Sequence, residues 1–160
     1  MNQTHIHLLI THLPIFGSIL GGIVLAYGLL TKSNETKIAS YILFVISAIG
    51  AGVAYLTGER AEETIENLLP GVLASVIKQH EESASISLVA LIILGVVALT
   101  GIFTIKKLNW SKNLGMVTLL ISLISFGLIA YTGYLGGRIR HTEISGGTNN
   151  AAENDGDDND

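Results

Sequence analysis

The distribution of apolar and polar positions is dominated by four long, nearly uncharged runs. They are Leu8 to Leu30, Ile38 to Thr57, Ile86 to Ile105 and Leu114 to Tyr134, and none contains Asp, Glu, Lys or Arg. Each is about 20 residues or a little more, the length of helix needed to cross some 30 Å of hydrocarbon. The runs are too continuous for barrel strands, which would alternate. The pattern predicts an all-α fold: a four-transmembrane-helix up-down bundle. Between the second and third runs, Glu59 to Leu69 sets Ala61, Ile65, Leu68 and Leu69 on one side and Glu59, Glu62, Glu63 and Glu66 elsewhere. This is an amphipathic helical pattern. Helix 2 is therefore expected to continue past Gly58, to break at Pro70-Gly71, and to be followed by a second helical stretch from Val72 into helix 3. The result would be a short outward-facing helical hairpin. Residues 1–144 form the transmembrane domain, and the acidic segment 145–160 (SGGTNNAAENDGDDND) has almost nothing to bury and is expected to be disordered.

Composition agrees with the bilayer as solvent. The 160 residues are 49% hydrophobic and only 14% charged, with a mean hydropathy of +0.53. A net charge of −4 speaks against nucleic acid as a partner. The absence of Cys removes disulfides, thiolate catalysis and Cys-ligated metals. The start of the chain lacks the basic segment and Ala-x-Ala site of a cleaved signal peptide, so the first run is expected to remain as a span. Lys32 and Lys37 lie in the first short loop, and Lys106, Lys107 and Lys112 in the third. Arg60, Lys78, Arg138 and Arg140 are spread along longer segments of the other side. The positive-inside rule then puts the Lys loops in the cytoplasm and both termini outward, in a multi-pass protein of the bacterial cytoplasmic (inner) membrane.

Within this topology all five histidines fall on the outward side. His5, His7 and His12 are at the outer end of helix 1, His80 precedes helix 3 and His141 follows helix 4. Pro14 is favoured in the first turn of a helix, so regular helix is expected to begin near it, with His12 close to the interface. Glu81 adjoins His80, Glu143 follows His141 by two, and Glu59 and Glu62 stand above helix 2; an acid beside a His can orient the ring and raise its basicity as a ligand. Gly17-x3-Gly21 and Gly133-x2-Gly136-Gly137 allow close helix approach or room for a flat ligand. A faint repeat relates Ala54-Tyr55-Leu56-Thr57-Gly58 to Ala130-Tyr131-Thr132-Gly133. It is the mark expected of two helix pairs about an axis along the membrane normal. The spans hold no chain of carboxylates or lysines of the kind pumps use, which argues against transport.

Four motifs in order carry a family likeness: His7-x4-His12-Leu13-Pro14; Tyr55-Leu56-Thr57-Gly58-Glu59-Arg60-Ala61-Glu62-Glu63; His80-Glu81-x2-Ala84; and Leu135-Gly136-Gly137-x-Ile139-Arg140-His141-x-Glu143-Ile144. Over residues 1–144 the chain resembles the uncharacterised four-span bacterial membrane proteins with an N-terminal H-x4-H-[LF]-P signature. That family is distantly similar to the four-helix two-haem b-type cytochromes. The resemblance implies a four-helix fold and marks His7, His12, His80 and His141 as cofactor-binding positions. The chain departs from the two-haem pattern in having no His in its cytoplasmic half, so at most one haem site, the outer one, is expected.

Three readings follow. The first is a b-type haem near the outer face, for electron transfer or redox sensing with a partner protein on that side; His7 pairs better with His80 in depth than His12 does, and no C-x-x-C-H for a covalent haem occurs. The second is a non-haem Zn, Cu or Fe site from His7, His80 and His141 with Glu81 or Glu143, which would also suit a hydrolytic zinc centre although H-E-x-x-H is absent. The third is a cofactor-free accessory subunit.

Overall fold

The computed structural model describes residues 7, 9–68, 74–106 and 108–140. Four helices make up these residues: α1 His12–Leu30, α2 Asn34–Leu68, α3 Ala74–Thr104 and α4 Leu108–Arg140. His7, Leu9 and Ile10, which precede α1, are also helical. There is no strand among the described residues. Each helix is long and apolar enough to cross a membrane. The all-α four-helix bundle expected from the four runs is the fold observed. α1 and α3 each pack against both α2 and α4, so α1 and α3 are diagonal and the chain runs up and down around the ring. One end carries His7 and His80; the other carries the short lysine-bearing connections.

α2, α3 and α4 are longer than the runs that announced them, whereas α1, with 19 residues, is shorter than its run. α2 has 35 residues, roughly 50 Å at the helical rise, and continues ten residues past Gly58 to Leu68, as the amphipathic pattern led one to expect. α3 starts at Ala74 and runs unbroken to Thr104. Pro70-Gly71, Val72 and the segment beyond Arg140 lie outside the described residues, as does the acidic tail.

The interior shows that lipid is the solvent. Large apolar side chains point outward: Ile23, Ile49, Val89, Leu120 and Phe103 are all exposed. Ser18, Ser40, Ser47, Ser87, Ser111, Thr118, Ser122, Ser125 and Thr132 are buried. Small residues let backbones approach where lipid tails give no hydrophobic drive between helices. Several of their hydroxyls bond back to carbonyls one turn earlier, Ser47 Oγ to Leu43 O, Thr118 Oγ1 to Leu114 O and Ser40 Oγ to Lys37 O, each at 2.7 Å, while Ser87, Ser111 and Ser125 pair across to other helices. No polar group of that set is thereby left facing hydrocarbon. Leu25, Tyr41, Phe44, Leu91, Leu94 and Ala98 form the apolar core. Gly21 is what admits the Phe44 ring, since a Cβ there would lie 2.6 Å from Phe44 Cε1.

The α1–α2 connection is three residues long. Lys32 takes a positive φ of 57° and the Ser33 amide reaches back to Gly28 O at 3.1 Å. That is the long bond of a Schellman stop. Ser33 Oγ then accepts from the Thr36 amide at 3.2 Å, capping α2. Lys37, counted from sequence among the loop lysines, is instead buried in the first turn of α2, with Nζ 3.2 Å from Asn34 Oδ1 and 3.3 Å from Ser111 Oγ.

Candidate functional site

The site begins with two imidazoles mounted on diagonal helical segments. His7 Nδ1 lies 2.9 Å from the Ala54 carbonyl oxygen and 3.3 Å from Thr57 Oγ1. His80 Nδ1 lies 3.1 Å from the Thr132 carbonyl oxygen. A carbonyl only accepts, so Nδ1 is the protonated nitrogen in both rings. In a neutral imidazole the lone pair then belongs to Nε2. A His whose Nδ1–H is fixed on a backbone carbonyl is the usual form of a metal-ligating His.

The same contact is built twice. One turn beyond Ala54, Gly58 faces His7, and a Cβ there would lie 3.2 Å from Cε1 and 3.6 Å from Nδ1. One turn beyond Thr132, Gly136 faces His80 at the same 3.2 Å and 3.6 Å. Only glycine leaves the ring edge flush with the neighbouring backbone. His7 and His80 are 73 residues apart, as are Gly22 and Gly95, and Gly28 and Gly101; Ala54 with Thr132 and Gly58 with Gly136 are 78 apart. The two helix pairs α1–α2 and α3–α4 thus each set one cleft His against a backbone carbonyl of the pair's second helix. The sequence match of Ala54–Gly58 to Ala130–Gly133 is out of register with these spacings.

Both rings line one cleft at the His end. Its inner lobe, of about 70 Å³, has an apolar lining that includes Pro14, Ile15, Ala51, Leu88 and Ile129. Its outer lobe, of about 370 Å³, is bordered by Gly58, Glu81, Glu82 and Ser85. His7, Tyr55, His80 and Ala84 border both. The outer lobe falls in the size range of small-molecule sites and the inner one below it. Tyr55 Oη sits 3.3 Å from Ser85 Oγ, joining α2 to α3 beside the cleft.

The structure brings His7 and His80 together and sets Glu81 at the mouth beside them. It does not bring His12 there. His12 is exposed on the outer face of α1, stacked on Phe16 with ring centroids 6.2 Å apart. His141, Glu143 and His5 lie outside the described residues, and the side chains of Glu59 and Glu62 are likewise not described. Among the described residues no three His, Cys, Asp or Glu side chains gather as a metal group. The carbonyls of Ala54 and Thr132, and Gly58, escaped the sequence reading as parts of the site. The 73-residue recurrence of His-x14-Gly-x5-Gly was the signal that held them. No protein-family model matches the chain, and no match is found among curated proteins or solved structures.

Proposed function

We propose that this membrane protein binds a b-type haem at its His end, between His7 and His80, and serves in electron transfer or redox sensing. The observation that carries the reading is the pair of Nδ1–carbonyl bonds, which gives two imidazoles of fixed tautomer on diagonal segments of one cleft. The donor set suits haem: two neutral nitrogen ligands and no thiolate. Of the two lobes the outer one, bordered by Gly58, Ala84 and Ser85, is the larger, at about 370 Å³. Haem, when bound, supplies a one-electron centre. The chain supplies the rest. His7 and His80 hold it, Gly58 and Gly136 set the depth of each ring, and Pro14, Ile15, Leu88 and Ile129 keep water from the inner side. In this reading the His end faces outward from a bacterial cytoplasmic membrane and meets a redox partner there. A His-rich Zn, Cu or Fe shell would need His141 or Glu143 as a third ligand.

The test is an absorption spectrum of the purified protein in detergent, oxidised and reduced. A Soret band with a reduced α-band is expected, lost by about 10-fold or more in His7→Ala or His80→Ala and kept in His12→Ala. A colourless protein would refute the proposal, and bound Zn, Cu or non-haem Fe by elemental mass spectrometry would replace it with the metal reading.

A further inference from the structure

The Lys end holds a buried charge that the cleft does not use. Lys37 and Ser111 are each the fourth residue of their helices, α2 and α4, which both start at this end. Lys37 is 7% exposed, and its ammonium carries three N–H donors. Two of them meet Asn34 Oδ1 at 3.2 Å and Ser111 Oγ at 3.3 Å. Both partners are neutral. Glu35 is the only acid at this end of the chain, and it is exposed and receives Ser33 Oγ at 3.2 Å. An ammonium turned into a membrane bundle needs a partner of opposite charge, and neither Asn34 nor Ser111 is one.

A second polar group is unmet one turn further on. Tyr41 is fully buried, its ring packed into the space left by Gly101, where a Cβ would lie 2.6 Å from Cζ. Among the described residues its Oη is the one buried side-chain polar atom without a hydrogen-bond partner. Thr118 stands near it on α4, but that hydroxyl donates to Leu114 O at 2.7 Å. A buried group left unpaired in this way marks the place of a water or an ion. The two donors face one strip of α4. Nζ lies beside Ser111, and Oη lies 3.5 Å from where a Cβ on Gly115 would stand, a spot that Leu29 of α1 also borders. Ser111 and Gly115 are one turn apart, about 6 Å along the axis, which is about twice a hydrogen-bond length. One small acceptor between them can reach both.

We infer that a small monovalent anion of the halide class binds between Lys37 Nζ and Tyr41 Oη. It accepts the third ammonium proton and the phenol proton, offsets the buried charge, and ties α2 to α4 at the end of the bundle opposite the cleft. A water would satisfy the hydroxyl but not the charge. A lipid phosphate, tethered at the membrane surface, does not reach a hydroxyl on a side chain that is wholly buried. The site is independent of what the cleft binds.

The probes are sodium chloride and sodium bromide, set against sodium gluconate at matched ionic strength, on the full chain in neutral detergent. Melting should be higher in the halides, with the folded-to-unfolded ratio rising about tenfold for each tenfold rise in halide above its Kd. Lys37→Met and Tyr41→Phe should each flatten that dependence, whereas Lys112→Met, at an exposed lysine of the same end, should keep it. A parent that melts alike in all three salts would overturn the site, and so would a halide dependence that survives in either variant. Should either variant not fold, the parent alone decides. Crystals grown in bromide should show an anomalous peak within hydrogen-bond reach of both Nζ and Oη. A water at that point, or bromide on the surface only, would overturn the proposal.

Discussion

Thr132 concentrates more of the site than any other single residue. One hydroxyl donates once and accepts twice. With Leu128 O at 3.1 Å as its acceptor, Ser83 and Ser87 are left to donate to it. Thr132→Val keeps the shape and removes the acceptor of both serine hydroxyls. The variant should lose about 1–2 kcal/mol, in the upper range of interhelical hydrogen bonds in membranes, by reversible unfolding in micelles; Thr132→Ser should recover most of it. A valine variant as stable as the parent would show that the serines re-pair locally. The two glycines at the rings make a sharper contrast. Gly58→Val and Gly136→Val should each lower haem retention about 10-fold or more, because a Cβ at 3.2 Å from Cε1 already crowds the ring and a branched side chain displaces it. Gly137→Val, where nothing lies within 4 Å, should retain the parent's spectrum. The histidines were visible in the sequence as letters. Their carbonyl partners were not, since every residue has a carbonyl and only the fold decides which one a ring meets.

Among the elements, the spans were legible and their ends were not. An apolar run records the part of a helix that lipid touches, so Ile38 to Thr57 and Ile86 to Ile105 were plain. α2 and α3 extend well beyond them through polar residues, where helix continues without any apolar requirement. Only the amphipathic spacing after Gly58 hinted at this. Lys37 was misread for a related reason. It stands at the edge of a run, where sequence cannot tell a side chain turned into the bundle from one turned to water. The α1–α2 turn has a direct test. Ser33 caps α2 through its hydroxyl, so Ser33→Ala should destabilise the bundle by about 1 kcal/mol, while Ser33→Asp, which keeps the acceptor, should cost much less. An alanine variant without measurable loss would mean that Ser33 contributes through its backbone alone.

At the scale of the whole molecule the bundle is two helix pairs that each hold one cleft His, and the direction in which its ends face is a matter of charge. The His end and the Lys end differ in the density of positive charge close to the spans. Lys32, Lys106 and Lys107 lie in two short connections, with Lys112 near the start of α4 and Lys37 buried beside them, whereas Arg60, Lys78, Arg138 and Arg140 are spread among twelve of the thirteen acids. Acids contribute little to orientation and short basic loops contribute much, so the Lys end should face the cytoplasm even with Lys37 withdrawn from its loop. The chain has no Cys, which makes cysteine labelling clean. Ser33 caps a helix and is a poor reporter; Glu35 is exposed in the same region and serves instead, with Thr148 reporting for the other end. A membrane-impermeant maleimide applied to intact cells should label Thr148→Cys and leave Glu35→Cys unlabelled until the membrane is opened. The reverse pattern would turn the His cleft towards the cytoplasm, and any electron partner would then have to reach it from inside the cell.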